Sequence, residues 1–488
     1  MSSRTSSGVL PHPSSSGVLP YPSPRVTEQS EGAPDECAAA SDDPEVRMRR
    51  RKLRKRWPYI FIAVSSVCAV ADMSRGILAP FLPAVADTRN ISSLTVGAIF
   101  ATPAVAVVLA TPAAPSLVHS VGERVALVTS GFIFATSMLA FAWVDRLPID
   151  GHWFTASAIG LRAVQGLACT AMDTAAGSLV MRAAPPGRES DSMGWLEAAR
   201  GLGSLLGPPV GGLLYDLSGW EPPFLTSGGV ALLLLIPLAL FVPAPAPSCE
   251  QSKPPISMAS LFCTVPEAMA MATLITTSLV AVSFLQPTLA VYTAHTPFFL
   301  SAGAVGLLFG LLTLSYICVS IVSGALASRI GDAHQVILGV LTFAVGYLLL
   351  GGAPFMTGAD AMRPTVGIIA VGMSCIGVAG GLSFAPGNAL AISGARDAGF
   401  TIEQVAAALT AGLNMAFALG NIAGPLMGGT MVALFGFRWS CTMLGSLLVV
   451  ACLGIAPCLY YRRWKTPAVA AAAAAVTDSR SAALLDSA

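Results

Sequence analysis

Long apolar runs recur along most of this chain and leave little choice of fold. Between residues 58 and 461, twelve stretches of helix-forming length contain few charged side chains. An α-helix of about 20 residues rises roughly 30 Å, which is the thickness of the hydrocarbon core of a bilayer. Hydrophobic residues make up 54% of the 488 residues and charged residues only 11%, which excludes an ordinary soluble domain. We predict an all-α polytopic membrane protein with twelve transmembrane helices.

The predicted spans fall into two groups of six. A polar, proline-rich segment within residues 244–265 separates the groups and is predicted to be a cytoplasmic linker. We therefore expect an N-terminal half over residues 57–243 and a C-terminal half over residues 266–461. The approximate spans are 58–86, 93–118, 125–144, 153–181, 193–215, 223–243, 266–293, 301–327, 336–353, 364–393, 404–433 and 437–461.

Basic residues flank the membrane region at both ends. The run Arg47–Arg56 places eight basic residues before the first span, and Tyr460–Lys465 closes the last span with another basic group. Because Lys and Arg are enriched in cytoplasmic segments, both termini are predicted to be cytoplasmic. Residues 1–56 are predicted to be a disordered tail that carries this basic cluster, and residues 462–488 a second tail. We expect the basic cluster to contact the bilayer surface rather than nucleic acid.

The two halves carry the same motifs in the same order. A shift of 217 residues places "GSLLGPPVGG" (Gly203–Gly212) on "GNIAGPLMGG" (Gly420–Gly429) at every glycine and at the shared proline. "LAPFL" (Leu78–Leu82) is echoed by "LQPTL" (Leu285–Leu289). Because these motifs fall in the fifth and eleventh spans and in the first and seventh, the halves are predicted to be parallel six-helix repeats. Secondary transporters are built in this way, with a substrate site near the midplane between the repeats.

Six residues of the fifth span form a longer pattern. They are Gly194, Gly203, Gly207, Pro208, Gly211 and Gly212. Glycines four residues apart give one smooth helix face for close packing, and a proline bends the helix. The full spacing resembles the fifth-span signature of the drug:proton antiporters of the major facilitator superfamily. "RAVQG" (Arg162–Gly166) is similar to the motif that those antiporters carry in the fourth span.

Three further segments resemble the vesicular amine transporters of that superfamily. They are "FLQPTLAVY" (Phe284–Tyr292), "NMAFALGNIAGP" (Asn414–Pro425) and "ALFGFRW" (Ala433–Trp439). The resemblance covers nearly all of residues 57–463 and implies the major facilitator fold, with exchange of protons for a cytosolic organic cation. The chain departs from the family in the seventh and eleventh spans, where Gln286 and Asn414 stand in place of acids.

Charged residues inside the spans are candidate functional residues, because each is costly in hydrocarbon. Asp72 and Arg162 are predicted to couple protons to transport, with Asp72 as the partner of Arg162. The competing interpretations are a static ion pair and a local pair of Asp72 with Arg75. Substrate contacts are predicted at Asp72, Gln286, Asn388 and Asn414, and a gating or structural charge cluster at Arg75, Asp173, Glu197 and Arg200. His119 and His295 lie at loop edges and are interpreted as bystanders.

These features predict a proton-coupled antiporter that exports or sequesters a small organic solute by alternating access. Cationic amines are the first candidates, and drug efflux is a related activity. The alternatives are a proton-independent facilitator or symporter of a neutral solute, which the missing acids favour, and a non-transporting receptor or scaffold of the same fold.

No nucleophile, metal or cofactor constellation is found in the sequence, so we predict neither an enzyme nor a cofactor or metal site. The expected partners are a small-molecule substrate, protons and the lipid bilayer, without nucleic acid. We expect a monomer in a vesicular or other endomembrane, or in the plasma membrane.

Overall fold

Helices make up the regular secondary structure in the part of the chain that the computed structural model describes. That part comprises residues 44–147, 152–185, 188–242, 258–295, 297–352, 365–397 and 402–485. Residues Met48–Ala488 form one compact unit, and of Met1–Arg47 only residues 44–47 are described, as helix. The helices are α1 (Pro44–Gly76), α2 (Leu82–Thr88), α3 (Ser93–Ala110), α4 (Ala114–Val121), α5 (Glu123–Phe141), α6 (His152–Ala183), α7 (Glu189–Ser218), α8 (Glu221–Phe241), α9 (Met258–Thr264), α10 (Pro266–Phe284), α11 (Leu289–Ala294), α12 (Ala302–Ile330), α13 (Asp332–Gly351), α14 (Val366–Asp397) and α15 (Ile402–Leu485), with a 3-10 helix at Val144–Arg146.

The helices account for the predicted spans. Within the described ranges, nine segments are long and apolar enough to cross a membrane. One of them, Gly412–Gly454, has 43 residues, which is enough for two crossings of about 20 residues each. The predicted fourth and fifth spans lie in α6 and α7, whose charged side chains lower their hydropathy and keep them out of the nine. The chain is a multi-pass membrane protein whose helices are consistent with twelve spans.

Two glycines with positive φ mark where the fifth and eleventh spans end. Gly219 has φ +80° and terminates α7. Gly436, which is its equivalent under the shift of 217 residues, has φ +74° and divides α15 into two helical parts. Side chains disfavour this left-handed region, so glycine is suited to both turns.

The repeated proline motif interrupts two predicted spans. α1 ends at Gly76 and α2 begins at Leu82, and α10 and α11 are separated in the same way by residues 285–288. Pro80 and Pro287 lie in these two breaks, where the prolyl ring removes an N–H donor and clashes with the preceding turn. Each of these two predicted spans is therefore a helix followed by a short second helix.

The terminal segments are more helical than predicted. α1 begins at Pro44, so the basic run Arg47–Arg56, which was expected in a disordered tail, is helical. α15 continues to Leu485 through the alanine-rich segment predicted as the C-terminal tail. Arg, Lys, Met, Leu and Ala are all good helix formers, so each apolar helix extends into its flanking sequence. The predicted linker also contains a short helix, α9.

The internal repeat sets the packing of the helices. On three glycines of α7, a Cβ atom would overlap a backbone carbonyl of α1 or of the residue that follows it. The pairs are Gly203 with Ala69, Gly207 with Met73 and Gly211 with Ile77. The equivalent glycines of α15 approach carbonyls of α10: the pairs are Gly420 with Thr276, Gly424 with Val280 and Gly428 with Phe284. The same helix contact, in the same register, therefore occurs once in each predicted half.

The proline-containing helices also join the two predicted halves. The carbonyl of Pro208 in α7 faces Gly306 in α12, and the carbonyl of Pro425 in α15 faces Gly97 in α3. Asp216 Oδ2 accepts a hydrogen bond of 2.8 Å from the N–H of Gly303. These contacts lie toward the C-terminal end of α7 and the N-terminal ends of α3 and α12. We call this end of the molecule, which contains Ser93, Asp216 and Gly303, the closed end.

Gly203→Ala is expected to lower the midpoint of thermal unfolding in detergent relative to Gly201→Ala. Both substitutions gain the same helix propensity, about 1 kcal/mol. A Cβ at residue 203 would overlap the Ala69 carbonyl, whereas one at residue 201 would meet no atom within 4 Å. Overpacking of this kind costs about 1–3 kcal/mol. Equal midpoints for the two variants would contradict the close contact of α1 with α7.

Candidate functional site: a charge network in the N-terminal half

Five charged side chains from three helices meet in one cluster, which we call the charge network. Asp72 and Arg75 come from α1, Asp173 from α6, and Glu197 and Arg200 from α7. Arg75 Nη1 lies 2.8 Å from Asp72 Oδ1, and Arg75 Nη2 lies 3.2 Å from Asp173 Oδ2. Arg200 Nε lies 2.9 Å from Asp72 Oδ2, and its Nη2 lies 2.9 Å from Asp173 Oδ2. Arg200 Nη1 also lies 2.8 Å from Glu197 Oε1.

Each arginine of the network bridges both aspartates, so four of the five side chains form a closed ring. The side chain of Asp72 is only 7% exposed, whereas those of Arg75 and Glu197 are 42% and 59% exposed. A carboxylate as buried as Asp72 is tolerated when charged donors hydrogen-bond to it. With all five groups ionised, three acids against two arginines give the network a formal net charge of −1.

The glycine face of α7 positions this network. Arg200 lies about one helical turn before Gly203, and Asp72 lies one residue before Met73 on the facing part of α1. Because the two backbones are in contact at Gly203 and Ala69, the Arg200 guanidinium reaches the Asp72 carboxylate directly. The packing motif therefore also determines where the charges lie.

The C-terminal half repeats the helix contact without the charges. The internal shift that relates α1 to α10 places Leu279 at the position of Asp72. The shift that relates α7 to α15 places Asn414 and Phe417 at the positions of Glu197 and Arg200. The charge network is thus a feature of the first repeat, added to packing that both repeats share.

Arg162 lies behind the network and is not one of its members. The residue is 3% exposed, and its Nη2 donates to the backbone carbonyl of Arg75 at 3.2 Å. Its Nη1 donates to Gln165 Oε1, also at 3.2 Å. α1 ends at Gly76, whose carbonyl accepts a hydrogen bond from the N–H of Ala79. The Arg162 guanidinium therefore donates to one of the last carbonyls of α1, which lack partners within the helix.

The expected pair of Asp72 with Arg162 is not formed. Asp72 is bonded instead by Arg75 and Arg200, so the competing interpretation of a local Asp72–Arg75 pair describes part of the site. The break after α1 explains why Arg162 does not pair with Asp72. At this helix end the Arg75 carbonyl is available to accept a hydrogen bond from Arg162.

The three residues predicted to contact substrate from the C-terminal half lie on α14, on α15 and in the break after α10. Gln286 is half-buried in the break between α10 and α11, and Asn414 is exposed on α15. Asn388 lies in α14 at a position whose side chain is outside the described part of the chain. A contact that sequence reasoning missed joins Ser283 Oγ to Asn421 Oδ1 at 2.6 Å between α10 and α15.

Part of the predicted antiporter pattern has a direct packing role. Pro208 and Gly212 face α12, where Pro208 contacts Gly306 and Gly212 approaches Ala302. Gly194 differs, because a Cβ on it would meet no atom within 4 Å. The packing part of the pattern therefore begins at Gly203.

Known proteins share this fold and much of this sequence. The family model of the Major Facilitator Superfamily matches residues 64–402. The chain belongs to that superfamily. The MFS-type transporter SLC18B1 of Mus musculus is 30% identical over 426 residues, covering 86% of this chain and 90% of the relative. The synaptic vesicular amine transporter of Mus musculus is 24% identical over 376 residues, covering 76% of this chain and 66% of the relative.

A solved structure supports the fold independently. A bacterial homolog of the human lysosomal transporter Spinster, in an inward-facing and unoccupied conformation, superposes with a TM-score of 0.66 at 13% identity. The match covers 83% of this chain and 98% of the homolog. The major facilitator fold and the resemblance to the vesicular amine transporters are thus confirmed, and the chain is a membrane transporter of small molecules.

A double-mutant cycle tests the charge network. For Asp72→Asn and Arg200→Gln, we expect a coupling of about 1–3 kcal/mol in the free energy of unfolding, as for contacting buried partners. The matched control is the Arg146–Glu221 pair, whose side chains are 64% and 40% exposed and should couple by about 0.2–1 kcal/mol. Unfolding in detergent measures both. Coupling no larger than that of the control would contradict the network.

Proposed function

We propose that the chain is a proton-coupled antiporter that exports or sequesters a small organic cation, with amines as the first candidates. The observation that carries this proposal is the single net negative charge of the charge network. One proton or one monovalent cation neutralises it, whereas both together would leave an unpaired positive charge inside the membrane, which is costly. Proton and substrate therefore compete for the same negatively charged state of the network. Exchange of one for the other requires such competition.

Access to the network supports the same proposal. The contacts of Pro208 with Gly306 and of Asp216 with Gly303 lie at the closed end, away from Glu197 and Arg200. Under the predicted topology, α7 starts at the cytoplasmic side, so the exposed edge of the network faces the cytoplasm. We infer an inward-facing state, the conformation that is named for the Spinster homolog.

Asp72 is the proposed binding group for the ammonium of the substrate, because it is the most buried acid of the network. The incoming cation would replace one arginine as the partner of Asp72. Rocking of the two halves, residues 57–243 and residues 266–461, would then carry the cation across the membrane. Gln286, Asn388 and Asn414 are proposed to complete the site from the C-terminal half with uncharged polar groups.

Arg162 is proposed to link the network to this movement. Its buried Nε has no hydrogen-bond partner among the described residues. Because its Nη2 holds the end of α1 next to the helix break, a shift of α1 would change both the Arg162 contacts and the geometry of Asp72.

The cellular setting is likewise a proposal. Basic residues in the first part of α1 and after the last span support cytoplasmic termini. The names of the vesicular amine and acetylcholine transporters support a vesicular or other endomembrane, with the plasma membrane as the alternative. The closed bundle of each half requires no second copy, so we propose a monomer.

Uptake into proteoliposomes tests the antiport. With an acidic interior, we expect gradient-driven uptake of at least one cationic amine from a panel of amines, drugs and nutrients. Asp72→Asn should reduce it at least about tenfold, the factor that corresponds to about 1.4 kcal/mol. Glu221→Gln, which alters an exposed acid at the closed end, is the control.

Two other outcomes would contradict the proposed function. Uptake that does not depend on the pH gradient would indicate a facilitator. The half-buried amide of Gln286 would then contact a neutral solute. A panel without any flux would indicate a receptor or scaffold.

Arg162→Ala is expected to uncouple transport. Gradient-driven uptake should fall at least about tenfold, while exchange of substrate for substrate without a gradient should fall less, because exchange needs no proton step. Gradient-driven uptake by Arg162→Lys should lie between that of the parent and that of Arg162→Ala, since a single ammonium can replace one of the two guanidinium contacts. Parental gradient-driven uptake by Arg162→Ala would refute the coupling role, and equal loss of both activities would indicate a purely structural one.

A further inference from the structure

An ion pair connects the two predicted halves at the closed end. His295 follows α11, and its Nε2 lies 3.4 Å from Asp87 Oδ2 of α2. The two side chains are 63% and 50% exposed at the protein surface. We propose that His295 and Asp87 form a proton-binding site whose occupancy holds the closed end shut. This proposal rests on the alternating access of the proposed function and adds a control point to it.

The geometry around the His295 ring places a hydrogen-bond acceptor next to each nitrogen. Nδ1 lies 2.8 Å from the backbone carbonyl of Val291. A carbonyl oxygen only accepts, so Nδ1 must carry a hydrogen. An ionised carboxylate also only accepts, so Nε2 must carry a hydrogen to face Asp87 favourably. Both nitrogens carry hydrogen only in the imidazolium form, and the neutral ring would place a lone pair against the carboxylate.

Three other charged side chains described near this end, Arg89, Asp145 and Asp216, have partners other than His295. Arg89 Nη2 lies 2.7 Å from Asp145 Oδ1, and its guanidinium lies over the ring of Phe154. Asp216 accepts the hydrogen bond from the N–H of Gly303. Carboxylic acids ordinarily titrate near pH 4, whereas histidine changes charge between about pH 5 and pH 8. The attraction between His295 and Asp87 therefore depends on whether Nε2 of His295 carries a proton.

Water reaches this site directly. His295 lines a cavity of about 230 Å³ together with Ser93 of α3 and Tyr292 of α11. The predicted topology places this end on the side opposite the cytoplasm, which would be the lumen in a vesicle. Acidification of that compartment would protonate His295 and stabilise the closed end. Outward opening would then become less favourable as the compartment acidifies.

Hydrogen–deuterium exchange of the full chain in nanodiscs tests this site without substrate or gradient. Amides at the starts of α3 and α12 report opening of the closed end, after correction for intrinsic exchange rates. We expect protection at about pH 5.5 to exceed that at about pH 7.5 by roughly two- to fivefold, the effect of one exposed ion pair.

Four variants separate the outcomes. His295→Gln should show the low protection at both pH values, and His295→Lys the high protection at both, because its charge persists. His119→Gln alters an exposed histidine at the end of α4 and should keep the parental pH dependence. Asp87→Asn should lose the pH dependence, so the test remains decisive if one of the His295 variants fails to fold.

A parental pH dependence in His295→Gln or Asp87→Asn would overturn the proton-binding site and leave the antiport proposal intact. Conversely, absence of gradient-driven uptake would overturn the antiport proposal. The hydrogen–deuterium exchange result with His295→Gln would not be affected.

Discussion

The contact between α1 and α7 is the constraint on which the rest of the structure depends. Glycines of α7 allow the two backbones to touch, and no larger residue fits at Gly203 without displacing the Ala69 carbonyl. This contact brings Arg200 onto Asp72, and the resulting ion pairs make a buried carboxylate tolerable within the membrane. On its other side, α7 packs on α12, so the same helix connects the charge network to the interface between the halves.

Much of the fold could be predicted because it rests on patterns that are local in sequence. Apolar length predicts the spans, and the shift of 217 residues predicts that the fifth and eleventh spans carry equivalent glycine faces. The residues that these faces contact, such as Ala69 for Gly203 and Thr276 for Gly420, are seen only in the structure. The helix breaks at Pro80 and Pro287 were overlooked, although the repeated proline motif was visible. The helical extension before the first span depends on propagation from a stable helix, which composition alone does not reveal.

The site was harder to predict than the fold. All five members of the charge network could be named from the sequence, because charges inside apolar spans are rare. Their pairing could not, since it depends on the relative depth and rotation of α1, α6 and α7. Arg162 illustrates this point: it binds a carbonyl exposed by the break in α1, and not the carboxylate of Asp72. From the sequence, His295 is interpreted as a bystander because it lies at a loop edge. Its neighbour Asp87 is far away in sequence and is identified only in the structure.

The asymmetry of the two repeats suggests a division of labour. Packing is shared, whereas Leu279 and Phe417 replace the charged pair in the second repeat. In the proposed mechanism, the first repeat therefore binds the proton and the second contributes uncharged contacts to the solute. The most direct test of the central claim is the number of protons released when a transported amine binds the purified protein in weakly buffered detergent at acidic pH. Competition at the charge network predicts release that approaches one proton per amine bound, whereas binding without proton release at any pH would contradict it.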